Sequence, residues 1–185
     1  METEAEVIRE LDLKSILGGT RVITTIPFCY IMANMPTTMT PQDGNECVAA
    51  TLGYRANIFG NSFEDEGYFV NSWESQNPGQ NVEQDGMSST FAQMNNFVGQ
   101  NFQTSTLTQA GGLIAALDQG DVIFAQITMP GSTDLHAVTI IGHNTDSNPL
   151  IKYMDPATGA TDTMSVSDLN TRAQNAVVVN GTCAP

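Results

Sequence analysis

Residues 42–50 read Gln42-Asp43-Gly44-Asn45-Glu46-Cys47-Val48-Ala49-Ala50, and this stretch predicts a cysteine just inside the start of a helix. Asn45 is a favourable N-cap, and Gly60 is a natural end, so we expect the helix at about residues 46–59. A helix N-terminus favours the thiolate, which is the reactive form of cysteine. Cys47 is therefore a candidate nucleophile.

A histidine and an aspartate lie downstream, in two strand-like segments joined by a turn-rich loop at residues 144–149. His136 is near the start of the first segment, and Asp155 ends the second. In a hairpin centred near residue 146, the residue numbers of two paired positions add up to roughly 291–293. If this sum is odd, the side chains of His136 and Asp155 lie on one face of the sheet, and if it is even they lie on opposite faces. The sequence leaves that parity open. A thiol, an imidazole and a carboxylate that meet form a nucleophile, its base and the group that orients the base.

Each of these residues also has a purely structural interpretation. A cysteine near a helix start is often buried filler, a histidine at the head of an apolar strand can be a satisfied edge residue, and Asp155 before Pro156 can be a turn former. His143, at the far end of the first strand, is interpreted as structural. The order of the three candidates favours one site over three coincidences.

Composition limits the kinds of function that this chain can have. The 185 residues suit one compact domain, and six Lys and Arg against 20 Asp and Glu give a formal charge of −14. A charge of this sign argues against nucleic acids and anionic membrane surfaces as partners, because both need a basic footprint. No apolar run reaches the roughly 20 residues of a membrane span, and no Sec-type signal peptide is present.

No metal or cofactor is expected, because the chain lacks zinc-like Cys and His spacing and phosphate-binding glycine patterns. The Glu64-Asp65-Glu66 run lacks calcium-loop spacing. Three cysteines are too few for a disulfide framework; Cys29 and Cys183 either pair in an exported protein or stay unpaired.

The order of predicted elements is helices first and strands after them. Helices are expected at residues 3–17 and 46–59, after Ser88 or Ser89 as far as Gly99, at 108–119 and near 167–171. Strands are expected at residues 21–26, 121–129, 136–142, 150–155 and 176–179, and residues 61–87 are interpreted as a long surface excursion. This layout is α+β, with an N-terminal helical half and a C-terminal antiparallel sheet half.

Gln42 with Cys47, the segment 136–142 and the segment 154–159 resemble papain-like cysteine peptidases of the bacteriocin-processing, C39-like branch. The similarity covers about residues 38–180 and includes Gly86 and the helix after it. It implies the papain-like cysteine peptidase fold, in which a helical half bears the nucleophile helix, a sheet half bears the base, and a cleft lies between them. Two departures from the family pattern are Val48, where glycine is usual, and a five-residue rather than six-residue separation of Gln42 from Cys47.

The same resemblance assigns roles by position. It implies Cys47 as the nucleophile, His136 as general base and then acid, Asp155 as the group that orients the imidazole, and Gln42 as an oxyanion-hole donor together with the Cys47 backbone N–H. The expected activity is hydrolysis of peptide bonds in a peptide or protein substrate. The alternatives are acyl transfer by the same thiol and a non-catalytic secreted binding or toxin-like module.

The N-terminus resembles a double-glycine leader of the kind found on peptides that peptidase-containing ABC transporters export. Ile8, Leu13 and Ile16 lie 12, 7 and 4 positions before a cut that would follow Gly18 and Gly19. The resemblance implies a leader or pro-segment at residues 1–19, maturation at Thr20, a peptidase domain at 20–185, an ABC exporter as partner and secretion from a bacterium. Three roles for this leader are open: it directs export of the peptidase, it is cut by the peptidase domain of the same chain, or it occupies the cleft as an inhibitory pro-segment. The alternative to a leader is an ordinary N-terminal helix in a cytoplasmic protein.

Overall fold

The computed structural model describes residues 23–25, 38–61, 63–108 and 112–180. The leader segment 1–19, the cleavage site at Gly18, Gly19 and Thr20, and both Cys29 and Cys183 lie outside these ranges. The division of the chain at residue 19 and the pairing of the two cysteines therefore stay predictions.

Six helices are present in the described ranges, and the first four form the helical half. They are α1 (Cys47–Ile58), α2 (Glu66–Gln76), α3 (Val82–Asp85), α4 (Phe91–Asn101), α5 (Leu113–Asp118) and α6 (Val166–Arg172). None of them is long and apolar enough to cross a membrane. The helix expected at residues 46–59 is confirmed to within one residue at each end. Its N-cap is Glu46, so the prediction of Asn45 was wrong; the Asn45 side chain instead donates to the backbone carbonyl of Gln84.

In the part of the chain that the structure describes, seven strands form one antiparallel sheet in the order β2-β7-β3-β4-β5-β6, with β1 paired to β4. Their bounds are β1 (Ile23–Thr25), β2 (Thr104–Ser105), β3 (Val122–Thr128), β4 (Leu135–Asn144), β5 (Leu150–Asp155), β6 (Ala160–Ser165) and β7 (Ala173–Val179). Helices that precede an antiparallel sheet confirm the α+β class. The run expected at residues 21–26 is confirmed as a strand for Ile23–Thr25.

The surface excursion predicted at residues 61–87 is wrong, because this segment contains α2 and α3. Phe69 and Trp73 of α2 are buried, and the Trp73 indole N–H donates to the Gln80 side-chain oxygen over 2.7 Å. Residues four apart lie on one helix face, so these two aromatic side chains give α2 an apolar side despite the polar composition around them. The ring of Trp73 meets that of Phe97 edge-on at 5.0 Å and joins α2 to α4.

Two apolar clusters cover the two faces of the sheet. Val122 and Phe124 of β3 belong to the cluster that contains the buried residues of α1, α2 and α4. Ile123 and Ala125, which point the other way from the same strand, belong to the cluster that contains residues of α5 and α6. The sheet is thus buried on both sides, and α1 lies on the face of Val122 and Phe124.

Candidate active site

The register of the β4–β5 hairpin places His136 and Asp155 on the same face of the sheet. Thr139 pairs with Met154 in this part of the hairpin, so paired positions sum to 293, an odd number. Continued by one residue, this register sets Asp155 level with Val138, on the face that His136 shares. The parity that the sequence left open is therefore the one that brings the two side chains together.

A β-bulge decides this parity. Nearer the turn, Gly142 pairs with Lys152, so that the residue numbers of paired positions add up to 294, an even number. The register shifts between Ile140 and Gly142, where Ile141 is an extra residue of β4. Without this extra residue the even sum would persist along the hairpin, and His136 and Asp155 would point to opposite faces.

His136 is held between a carboxylate and a thiol. Its Nε2 lies 2.7 Å from Asp155 Oδ1, and the two side chains are 11% and 15% exposed. The His136 side chain also hydrogen-bonds the Cys47 side chain. Because Nε2 faces Asp155, Nδ1 is the ring nitrogen left for the sulfur. Asp155 Oδ1 accepts a second hydrogen bond from the backbone N–H of Ala157 at 2.9 Å, which fixes the carboxylate.

These contacts change the protonation of both groups. Burial acts to lower the pKa of His136, but the hydrogen bond to Asp155, followed by the hydrogen bond and charge of Cys47, raises it from 6.5 to about 9. The hydrogen bond from His136 lowers the pKa of Asp155 despite the opposing effect of burial. The imidazole is therefore held as a cation beside the thiol at neutral pH.

Cys47 is the first residue of α1, half-buried, and the only free cysteine within the described ranges. The body of α1 packs on the opposite face of the sheet from His136, and its Thr51 hydroxyl donates to the carbonyl of Ala137, next to His136, over 3.2 Å. Because His136 is the second residue of β4, the start of the helix reaches its ring at the end of the strand.

Both halves of the molecule line a cavity of about 430 Å³, which we call the cleft. Gln42, Cys47 and Gly86 contribute from the helical half, and Gln126 and His136 contribute from the sheet. A larger cavity of about 510 Å³ lies along another side of α1 and contains none of the predicted site residues; it is lined by five acidic residues, Asp43, Glu46, Glu64, Asp65 and Glu66.

Gln42 lies in the cleft as the sequence predicts, and its orientation is fixed by two hydrogen bonds. Its backbone N–H donates to the carbonyl of Pro156, and its side-chain Nε2 donates to the carbonyl of Gly44, both over 2.9 Å. A side-chain amide has two N–H donors, so one remains available in the cleft beside Cys47. The predicted nucleophile, base and oxyanion donor thus line one cavity, and the predicted orienting group, Asp155, contacts the base without lining the cavity.

His143 lies elsewhere, in keeping with its structural interpretation. Its Nδ1 is 2.7 Å from the carbonyl of Asn144, and its Nε2 is 2.8 Å from Asp118 Oδ1. Over the described ranges, no three His, Cys, Asp or Glu side chains are grouped so that they hold a metal ion.

The family model of the papain-like cysteine protease AvrRpt2 matches residues 32–174, well over half of the 185-residue chain. The chain belongs to this family. As a member of the papain-like cysteine protease AvrRpt2 family, it is a hydrolase that acts on protein or peptide substrates, and the prediction of a papain-like cysteine peptidase is confirmed. Among curated proteins, none matches the chain. The C39-like branch within the papain-like peptidases stays a prediction.

Sequence reasoning missed Gln126, a further polar residue of the cleft. Gln126 lies in β3, is 8% exposed and is the one polar residue among Val122–Ile127. A polar residue inside an apolar strand is the signal that identifies it, because buried polar groups need a reason to be there.

Proposed function

We propose that Cys47, His136 and Asp155 are the catalytic triad of this peptidase and that Gln42 completes its oxyanion hole. The observation that carries the proposal is the position of His136, whose Nε2 is 2.7 Å from Asp155 while the ring also hydrogen-bonds the Cys47 side chain. A nucleophile in contact with a base that a third group orients is the arrangement that covalent acyl transfer requires.

The reaction proceeds in two steps. With the thiol proton already held on the His136 imidazolium, the sulfur of Cys47 attacks the carbonyl carbon of the scissile peptide bond. The leaving amine takes the proton from the imidazolium as the C–N bond breaks. The products of this step are a thioester on Cys47 and the released amine. Water then loses a proton to His136 and attacks the thioester, which releases the carboxylic acid and restores the thiol.

The oxyanion of each tetrahedral intermediate needs donors beside Cys47. We assign this role to the backbone N–H of Cys47, at the first position of α1, and to the N–H of Gln42 that does not bond Gly44. Removal of one such donor raises the barrier by about 3–4 kcal/mol. Gln42→Ala is therefore expected to lower kcat by a factor of about 10² to 10³ with little effect on alkylation of the thiol.

The principal test uses Cys47→Ala and Cys47→Ser. Both variants are expected to lose cleavage of a proteome-derived peptide library, followed by mass spectrometry, whereas the double variant Cys29→Ala/Cys183→Ala keeps it as the matched cysteine control. Iodoacetamide is expected to label Cys47 faster than the other two cysteines. Cleavage that survives in Cys47→Ala would show that the assignment is wrong. If amine acceptors divert the acyl group from water, the same thiol acts as an acyltransferase.

We also propose that residues 1–19 are a double-glycine leader, cut between Gly19 and Thr20, that directs export of the peptidase through a peptidase-containing ABC transporter. The support for this proposal is the spacing of Ile8, Leu13 and Ile16 before the two glycines, together with the resemblance of residues 38–180 to the C39-like branch. The intact mass of the protein from its native source tests it. A mass that begins at Thr20 is expected, and a secreted product that retains residues 1–19 rejects cleavage.

A further inference from the structure

Gln126 is a polar side chain built into the sheet wall of the cleft. It lies in β3, is only 8% exposed, and pairs across the sheet with Ala137, the neighbour of His136. The same cavity is lined by Gln126, Cys47 and His136. Gln126 has no part in the triad, so its burial at this position needs a separate explanation.

Two asparagines fix the orientation of the Gln126 amide. Asn175 of β7 pairs with Gln126 in the sheet, and its Nδ2 donates to Gln126 Oε1 over 3.0 Å. The same Nδ2 donates to Asn95 Oδ1 of α4 over 2.7 Å. Both protons of the Asn175 amide are therefore used, and the carbonyl end of Gln126 is held against β7.

This orientation leaves the Nε2 end of Gln126 as a pair of donors. Within the described ranges, no protein acceptor bonds Gln126 Nε2, although its Oε1 is satisfied. The Gln126 side chain keeps a small exposed area in the cleft, so a bound molecule that covers it must supply an oxygen for the Nε2 donors.

We propose that Gln126 Nε2 donates a hydrogen bond to a main-chain carbonyl of the bound substrate, on the leaving-amine side of the scissile bond. This inference rests on the proposed triad. His136 delivers the proton to the leaving amine, and Gln126 lines the same cavity from the neighbouring strand, where it pairs with Ala137 beside His136. Gln126 is thus a substrate-binding residue, and Asn175 and Asn95 are its positioning residues.

The charge of the cleft favours a neutral acceptor over a carboxylate. Asp85 and Asp134 line the cleft from its two sides, and no Lys or Arg is among the described residues that line it. A substrate carboxylate that approached Gln126 would meet two like charges, whereas a peptide carbonyl would not. The geometry therefore assigns Gln126 to backbone recognition of an extended peptide.

The test compares two substrates of the same acyl sequence, chosen from the peptides that the wild-type enzyme cleaves. One continues for three residues beyond the scissile bond, and the other is a methyl ester, whose leaving group carries no carbonyl. Gln126→Met is expected to lower kcat/KM for the extended peptide about tenfold and to leave the methyl ester within about twofold. Gln174→Met, an exposed glutamine on β7, is the matched control and is expected to change neither.

Gln126→Glu gives a second variant of the same shape, which replaces the donor by an acceptor and is expected to show the same selective loss. Equal losses with both substrates, or none with either, would overturn the inference. The rate of Cys47 alkylation by iodoacetamide separates this result from failure of the triad: it stays at the wild-type value if Gln126 only binds substrate, and a slower rate in both Gln126 variants also overturns the inference. If wild-type Cys47 is not preferentially alkylated, the triad proposal itself has failed.

Discussion

Replacement of Asp155 by asparagine removes a charge from the site while it keeps the shape of the side chain. In the native protein the pKa of His136 is about 9: burial acts to lower it, and the hydrogen bond to Asp155, then the contact with Cys47, outweigh burial. An asparagine oxygen still accepts a hydrogen bond from Nε2, but it carries no negative charge that favours the imidazolium. We therefore expect the pKa of His136 to fall in Asp155→Asn.

The magnitude follows from the difference between 6.5 and about 9, which corresponds to about 3 kcal/mol in favour of the imidazolium. Asp155 and Cys47 share this effect, and the hydrogen bond to Asp155 is the larger contribution that raises the pKa. If Asp155→Asn removes about half of this stabilisation, the pKa of His136 falls by about one unit. The fraction of His136 that is imidazolium at pH 8.5 then falls about threefold. Since the imidazolium protonates the leaving amine, the basic limb of the pH–rate profile moves from about 9 to about 8.

Two measurements check this prediction between pH 5 and 10: kcat/KM for a cleaved peptide and the free energy of unfolding in urea. Because His136 binds its proton more tightly in the folded than in the unfolded protein, protonation of His136 stabilises the fold. This stabilisation is fully present below pH 6.5 and is lost as the pH rises through about 9. Wild-type stability is thus expected to fall by about 3 kcal/mol between pH 6.5 and 9.5, and the stability of Asp155→Asn by less. Asp162→Asn, on β6, is the matched control. A basic limb unchanged in Asp155→Asn, or shifted equally in Asp162→Asn, refutes the reasoning.

Three further predictions concern the helices around α1. The Arg55 guanidinium is fully buried, has no hydrogen-bond partner among the described residues and lies 5.1 Å from the centre of the Phe102 ring. Burial lowers its pKa well below the ordinary value. Arg55→Met is therefore expected to raise the free energy of unfolding in urea by about 1 kcal/mol or more, and a decrease would contradict this. Gly53→Ala places a Cβ 2.7 Å from the backbone N of Glu66, so it is expected to lower Tm at a cost of about 1–3 kcal/mol even though alanine favours helix; an unchanged or higher Tm counts against close packing of the two helices. Burial, followed by the charge and hydrogen bond of Glu46, raises the pKa of Glu66 from 4.5 to about 7. The stability that this gives is present below pH 4.5 and lost as the pH rises to 7, so Tm of Glu66→Gln is expected to change less than that of wild type between pH 5 and 8, and equal profiles would reject the shift.

The sequence predicts the parts of the site that depend on local signals. The helix that begins at Cys47 follows from a polar turn before an apolar run, and the β4–β5 hairpin follows from two strand-like segments around a Pro- and Asn-containing loop. Each signal lies within 21 consecutive residues or fewer, so nearby chain chemistry is enough to determine them.

The register of the hairpin depends on something else. The parity is set by a bulge at Ile141, which is an ordinary buried strand residue. Gly142 beside it is a weak local signal, because a glycine inside a strand is compatible with a bulge but does not require one. What favours the bulge is tertiary: Ile141 packs into the cluster on the α1 face, while Ile140 packs into the cluster on the other face. The alignment of His136 with Asp155 is therefore decided by the cores on the two faces of the sheet together.

Helix α2 shows the same limit of local reasoning. The polar composition of residues 61–87 suggests a loop, yet Phe69 and Trp73 are buried against α4. Only two large apolar side chains mark the buried face of α2, too few for a periodic signal, and tertiary packing rather than propensity stabilises such a helix. Strand β6 escapes prediction for a related reason, because most of its residues are polar and Met164 is its one buried side chain.

The site is assembled from two pieces of chain whose relative position depends on backbone contacts outside the triad. The residues before α1 are tied to the turn after Asp155 by two hydrogen bonds of 2.9 Å, from the N–H of Met39 to the carbonyl of Gly159 and from the N–H of Gln42 to the carbonyl of Pro156. The turn that fixes the Asp155 carboxylate thus also holds the segment that leads to Cys47. Because one turn carries both attachments, a displacement of the turn moves the Asp155 carboxylate and Gln42, the proposed oxyanion donor, together, whereas the imidazole is carried by β4.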